Sequence, residues 1–344
     1  MPSTLESHDA DRQLPFGTED LDPHVQVIDT QSKTVRCYVR GCDQVLRAPR
    51  RGGQRGDVCP VHGIRCHYSQ SSATYSYRDV RRNIIASADL FADRIVGHPF
   101  KYESHRLGNE NSEDALSWNV FRSLQEGGQL ARVASMITGE FVSIEPFLYL
   151  WGICTTGDEL DPWDLLIQAR DRFENNLPVE RPKTEPDIAL HFPGRYLILI
   201  EAKFTSPNTS YKPGPRRDEQ SLTFDELLRI YHDDALTILN RQRASEVPRI
   251  YYQLWRNTVF AEWMAREDHP RTKAYHVNLV RSGKEHTSAH TFAQLVNDDY
   301  KDRFRRLTWE EIYARTRHER RLTWMHRYLR TKTAGLRKAF QCNC

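Results

Sequence analysis

The 344-residue sequence predicts an α/β fold, a sandwich of helices on a mixed central sheet, preceded by a small segment organised around a metal. Three features predict it. Residues 111–313 run through helix, strand, hairpin, helices, strand and helix periodicities in that order. Leu197–Ile200 is apolar at every position, as a strand covered on both faces requires. Four of the seven cysteines fall between Cys37 and Cys66, in a stretch poor in aliphatic residues.

Composition narrows the class. With 39% hydrophobic and 28% charged residues, the chain is that of a folded soluble protein. Its longest apolar run, Phe147–Cys154, is interrupted by Gly152 and is far short of the ~20 residues that span a bilayer. The first residues lack a basic segment followed by an apolar one, so a cytoplasmic, membrane-free location is expected. An odd cysteine count without a secretory leader argues against a disulfide framework.

Charge is unevenly spread. Residues 1–34 hold seven acids and two bases, 36–55 six arginines and one acid, and 315–344 nine bases and one acid. Two basic patches on a near-neutral body suggest a polyanionic partner, against the plainer reading that basic tails aid solubility. Arg47, Arg50, Arg51 and Arg55 lie on a Gly-rich loop; Arg320, Arg321 and Arg327, with Arg330, recur at helical spacing. These are the candidate phosphate contacts.

The elements follow in order. Residues 1–34 read as an acidic disordered tail, 35–70 as the metal-binding domain, 71–313 as the main domain and 314–344 as a basic C-terminal helix and tail. Residues 79–96 look helical. Asn111 can cap a helix with Glu113 and Asp114 in its first turn, Leu116, Val120 and Leu124 on one stripe, and Gly127-Gly128 as its stop. A strand over Phe141–Leu150 is expected, then a helix or insertion at 163–176. A hairpin joins Asp187–Leu190 to Tyr196–Phe204, helices cover Thr223–Gln242 and Pro248–Arg266, a strand runs over Ala274–Val280, and a helix over Trp309–Arg330.

Cys37 and Cys42 are followed sixteen residues later by Cys59-Pro-Val-His62-Gly63. Two such turns facing each other aim three sulfurs and an imidazole at one point, the donor set of a tetrahedral structural zinc site. Cys37, Cys42, Cys59 and His62 are the expected ligands. Cys66 and His67 compete for the fourth place, since Cys59 and Cys66 can pair without His62. About 30 residues cannot build a core alone, so the metal would supply the folding free energy.

The second constellation is Glu185-Pro186-Asp187 with Glu201-Ala202-Lys203. Period two puts Glu201 and Lys203 on one face. A three-residue turn at Pro193-Gly194-Arg195 pairs Phe192 with Tyr196, and counting back sets Asp187 opposite Glu201, roughly 5 Å apart. Two carboxylates that close repel unless a divalent cation such as Mg²⁺ lies between them. Glu113 sits on the core-facing stripe of its helix, where an acid needs a partner. The plainer reading of the set is a surface salt bridge.

On these residues the chain resembles the PD-(D/E)XK nuclease superfamily, whose fold is the restriction-endonuclease-like αβ sandwich. The resemblance covers roughly residues 105–313, with Glu113 in the first helix, Asp187 in Glu-Pro-Asp, and Glu201 and Lys203 in Glu-Ala-Lys. Tyr252-Gln253-Leu-Trp-Arg-Asn257 resembles the post-core helix that in some members sends a Gln toward the site. The resemblance implies that Asp187 and Glu201 hold Mg²⁺ or Mn²⁺, and that Lys203 orients the attacking water. It further implies that Glu113 holds a metal-bound water or a second metal, and Gln253 holds Lys203 or the substrate. Phosphodiester hydrolysis leaving a 5′-phosphate and a 3′-hydroxyl follows. A DNA endonuclease of restriction-type host defence, with a zinc ribbon that aids DNA or partner recognition, is the first reading. A structure-selective repair or RNA-cleaving nuclease, and a non-catalytic nucleic-acid-binding module, are the alternatives. No Walker-type motif is present, so any motor is another chain. A homodimer and a partner protein that supplies specificity both stay open.

Overall fold

The computed structural model of the chain describes residues 21, 27–29, 34–47, 56–66, 75–98, 101, 107–156, 160–177, 183–211, 223–244, 246–247 and 249–342. Strands β1 (Val27–Asp29), β2 (Thr34–Arg36) and β3 (Val45–Arg47) form one antiparallel sheet, and β4 (Ile64–Cys66) pairs with β5 (Tyr75–Tyr77). Leu21, Val35, Tyr38, Leu46, Ile64 and Tyr75 share a small core there. The acidic segment expected to be a tail therefore contributes a strand and a buried leucine, because Leu21 bridges Val39 and β1 completes an edge.

The region read as one helix over 79–96 is instead three short turns, Val80–Asn83, α1 (Ala88–Leu90) and Phe91–Ile95. Asn83 and Asn119 explain the break. Asn83 Nδ2 donates to the carbonyls of Leu107 and Asn109, and Asn119 Oδ1 accepts from the Ile85 amide at 2.8 Å. Asn119 thus holds the Ile85 amide and, through its Nδ2, the Asn83 carbonyl, so the turns are interrupted where a continuous helix would pass.

Helices α2 (Glu113–Glu126) and α3 (Leu130–Thr138) follow. Ser112, not Asn111, caps α2, its hydroxyl accepting from the Ala115 amide at 3.1 Å. The expected strand over 141–150 is trimmed to β6 (Phe147–Leu150), which turns into β7 (Ile153–Cys154). The segment 163–176 is a helix, α4 (Asp164–Glu174). Then come β8 (Ile188–Phe192), β9 (Tyr196–Ala202), β10 (Ser210–Tyr211), α5 (Phe224–Ile230), α6 (Arg241–Ala244), β11 (Ile250–Tyr251), α7 (Tyr252–Asp268), β12 (Lys273–Val280) and α8 (His286–Ala293). The chain continues through β13 (Phe304–Thr308), α9 (Trp309–Thr316), α10 (Thr323–Thr331), β14 (Thr333–Ala334) and β15 (Arg337–Lys338).

The main sheet is mixed and six-stranded, in the order β13-β12-β9-β8-β6-β7. β9 is antiparallel to β8 and parallel to β12. Alternation along the central strands feeds two cores. Ile198, Ile200, Ala202, Val277 and Leu279 pack with α2, α3, α9 and α10 through Trp118, Phe121, Trp309 and Leu329. Leu197, Leu199 and Ala189 pack with α4, α5 and α7 through Leu166, Leu227 and Phe260. Each fully buried aliphatic side chain here stabilises the fold by roughly 1.5–3 kcal/mol, so both faces commit β9 to the middle of the sheet.

The helix expected over 309–330 is split in two. α9 starts with a capping box, Thr308 and Glu311, and ends at Thr316; α10 then folds back so that His326 Nε2 meets the Thr316 hydroxyl at 3.1 Å. The basic tail is built in as well: Phe340 lies in the main core and Leu336 in the N-terminal one.

Candidate active site

The β8–β9 turn pairs Phe192 with Tyr196, and the ladder runs back to Ile188 opposite Ile200. One step further brings Asp187 beside the end of β9, where its Oδ2 accepts the Ala202 amide at 2.8 Å. Helix α4 anchors the loop that carries it. Arg170 Nε donates to the Thr184 carbonyl at 2.7 Å, and the Thr184 amide donates to Glu174 at 2.8 Å.

Glu201 and Lys203 are buried at 1% and 6% exposure, which demands partners. Glu201 Oε1 accepts from Lys203 Nζ at 2.6 Å, and its Oε2 accepts from Asn257 Nδ2 of α7 at 2.7 Å. Lys203 Nζ also lies 3.6 Å from Glu113 Oε1 at the start of α2. Glu113 Oε2 accepts the Phe204 amide at 2.5 Å. The Lys203 backbone is clamped, its amide on the Leu279 carbonyl at 2.7 Å and its carbonyl accepting from Trp309 Nε1 at 3.2 Å. Glu113, Asp187, Glu201 and Lys203 thus meet where β9 ends.

Electrostatics set the character of this group. Burial, then the carboxylates of Glu201 and Glu113, drives the Asp187 carboxyl well above the usual range. Burial pushes Glu113 up to about 7 against the opposing pull of Lys203. Burial by itself would lower Lys203, but Glu201, Glu113 and Asp187 outweigh it and raise the ammonium. Three carboxylates share one ammonium, so the group is short of positive charge, and its oxygens are donors of the kind that hard divalent cations take.

Gln253, expected to hold Lys203 or the substrate, does not reach Lys203. It lies in the first turn of α7, and no hydrogen bond joins the two among the described residues. The amide that arrives is Asn257, one turn on, where α7 passes over β9. Its signal in the sequence is only its place on the same face as Gln253. Arg256 is buried over the Tyr252 ring, 4.9 Å from its centroid.

A second group gathers apart from this one. Cys37, Cys42, Cys59 and His62 offer donor atoms that all lie within 4.8 Å of one another. His62 Nδ1 is 3.6 Å from Cys37 Sγ and 3.5 Å from Cys59 Sγ, and the Cys42 and Cys59 sulfurs are 4.0 Å apart. A tetrahedron with metal–sulfur bonds of about 2.3 Å and a metal–nitrogen bond of about 2.0 Å has edges of about 3.8 and 3.5 Å, so the donor set fits zinc. Both turns use left-handed glycines, Gly41 at φ +75° and Gly63 at φ +60°. Cys66, the alternative ligand, is not in the group; it is buried on β4 opposite Tyr75. His67 lies outside the described residues, as do Arg50, Arg51 and Arg55.

Of the other arginines, Arg47 is tied to Asp57, Nε to Oδ2 at 3.0 Å. Arg320, Arg321, Arg327 and Arg330 are all exposed on α10 and the turn before it. The Arg327 guanidinium lies 5.2 Å from the Trp324 ring centroid. No helix among the described residues is long and apolar enough to cross a membrane.

A family model described as "Restriction Endonuclease associating with ARP" matches residues 70–332. No curated protein and no solved structure matches the chain.

Proposed function

Because the chain belongs to the family of restriction endonucleases associating with ARP, we propose that it is a metal-dependent DNA endonuclease of the PD-(D/E)XK type, with a restriction-endonuclease-like sandwich and a zinc ribbon, acting in a restriction-type system. The observation that supports it most is the convergence of Asp187, Glu201, Lys203 and Glu113 at the end of one buried strand.

Asp187 and Glu201 would hold Mg²⁺ or Mn²⁺, whose bound form neutralises the phosphate and polarises its oxygen. Lys203, already fixed by Glu201 and by its clamped backbone, orients the attacking water and offsets charge at phosphorus. Glu113, which accepts from the Phe204 amide and lies 3.6 Å from Lys203 Nζ, completes the group of carboxylates. Asn257 holds the Glu201 carboxylate as a positioning residue. Cys37, Cys42, Cys59 and His62 would hold a structural zinc with all four places filled, leaving none for catalysis. The intact Asp187, Glu201 and Lys203 set argues against a non-catalytic binding module. The family description names an association with ARP, which supports a partner protein as part of the working assembly.

The test is incubation of the purified protein with plasmid, linear duplex, single strands and RNA, with Mg²⁺ or with EDTA. Cleavage of DNA with Mg²⁺ alone is expected, and Asp187→Ala, Glu201→Ala and Lys203→Ala should each abolish it while leaving the fold intact. Cleavage by Lys203→Ala at the wild-type rate, or undiminished cleavage in EDTA, would overturn the mechanism.

A further inference from the structure

Beside the group just described lies a second one that none of its proposed roles uses. Lys101 Nζ sits 2.9 Å from Asp114 Oδ2 and 3.3 Å from Glu185 Oε1, and 4.7 Å from the Trp151 ring centroid. The Lys101 side chain is only 5% exposed, whereas Asp114 and Glu185 are 23% and 21% exposed. The cluster therefore has a closed back and an open front. Trp151 ties it together, its Nε1 donating to Asp114 Oδ1 at 3.1 Å and its amide to the Asp187 carbonyl at 3.3 Å.

Position gives this arrangement its meaning. Asp114 follows Glu113 on α2, and Glu185 precedes Asp187 by two residues. Each wall of the site carries a second carboxylate, and Lys101 bridges the two. Five carboxylates, Glu113, Asp114, Glu185, Asp187 and Glu201, then face two ammonium groups, with the Arg170 guanidinium acting on Glu185 and that of Arg256 on Glu201. In two-metal nuclease sites a second divalent ion lies about 3.5–4 Å from the first, and the pair stabilises the attacking and leaving oxygens. A buried ammonium is costly unless it is paired; this one has two carboxylates and an aromatic face, so its place is over-determined. The acids also raise Lys101 against the lowering effect of burial, so it stays charged at neutral pH.

We infer that Lys101 is a resident second cation: a positioning residue that occupies, between Asp114 and Glu185, the place of a second metal ion, so that the chain works with one divalent ion held by Asp187 and Glu201. The inference rests on the assignment of Asp187 and Glu201 as the metal-holding pair.

Mn²⁺ binding to the full chain, counted by electron paramagnetic resonance, tests it. Wild type should bind one Mn²⁺ that Mg²⁺ displaces, and Asp187→Asn should lose it. Lys101→Met keeps the stem over Trp151 but removes the charge; it should bind two, the second more weakly. Its cleavage should depend on Mn²⁺ more steeply than the wild type's, moving from first toward second order. Lys101→Arg should restore the single ion. Two ions in wild type, or one in Lys101→Met that Asp187→Asn still removes, would overturn the inference while sparing the metal pair. No Mn²⁺ in wild type, or one that Asp187→Asn retains, would overturn the metal pair itself and the inference with it. Should Lys101→Met fail to fold, as its melting curve would show, the wild-type count still decides.

Discussion

At the residue scale, the behaviour of Glu113 follows from its surroundings. Its carboxyl moves from an ordinary 4.5 to about 7 because burial penalises the anion. The folded chain then binds that proton more tightly than the unfolded chain does. The resulting stability is full below pH 4.5 and is lost as pH rises through about 7, a change of about 3 kcal/mol. Asp187 is shifted in the same direction and adds to the loss. Melting of the metal-free protein between pH 4.5 and 7.5 should therefore fall more steeply for wild type than for Glu113→Gln; equal slopes would show that Glu113 ionises as an exposed acid does. Asn257 makes a second case. Its charge-assisted hydrogen bond to Glu201 lies in the 1.5–3 kcal/mol class, so Asn257→Ala should cut cleavage by roughly tenfold or more and raise the Mg²⁺ needed for half-maximal rate. A lowered rate at unchanged Mg²⁺ dependence would remove Asn257 from the metal side of the site. The sequence pointed to Glu113 through its place on an apolar stripe. It pointed to Gln253 instead of Asn257, because which turn of a helix overlies a strand end depends on where the two elements cross.

At the element scale, the hairpin and the cysteine turns were both legible, since their information is local. Pro193-Gly194-Arg195 sets the pairing of Phe192 with Tyr196, with Gly194 at φ +68°. The two glycine-containing turns likewise place Cys37, Cys42, Cys59 and His62 together without help from the main sheet. The expected metal content is about one zinc per chain by elemental analysis. Cys37→Ser, Cys59→Ser and His62→Ala should lose it, while Cys66→Ser, whose thiol stands on β4 outside the cluster, should keep it. Zinc retained in His62→Ala and lost in Cys66→Ser would reverse the ligand set. Removal of the zinc should melt the N-terminal unit first, since its core is small. Elements whose ends are decided by distant side chains were not legible. The segment over 79–96 carries a helical pattern, yet Asn119 from α2 takes the Ile85 amide and the helix does not form.

At the scale of the whole molecule, charge is the organising quantity. Arg320, Arg321, Arg327 and Arg330 lie exposed on α10 and the turn before it, while Met325, Tyr328 and Leu329 of α10 are packed into the main core. Each phosphate neutralised releases counterions, so the logarithm of DNA affinity should fall linearly with the logarithm of salt concentration. Changing those four arginines to Gln should flatten the slope of log affinity against log salt by up to about four units. An unchanged slope would reassign these arginines from nucleic acid to a protein partner. Residues near the C-terminus reach the N-terminal unit as well. Glu110 Oε1 accepts from the Leu336 amide at 2.7 Å, and Leu336 packs with Tyr75 and Leu21, so C-terminal residues close the N-terminal unit.

By itself the sequence determined what is encoded within a few residues or by strict period: the α/β class, the apolar strand that runs into Glu201 and Lys203, the β8–β9 register, and the clustering of three cysteines and a histidine. Only the tertiary structure decided which distant groups share space. Lys101, an isolated lysine in Pro-Phe-Lys-Tyr, has no pattern that marks it, yet it lies buried between Asp114 and Glu185. Asn257 of α7 reaches the Glu201 carboxylate, and the C-terminal tail became part of two cores. The physical reason is the same throughout. Burial makes an unpaired charge or amide costly, so such groups find partners wherever packing brings them, and packing is settled by the whole chain at once.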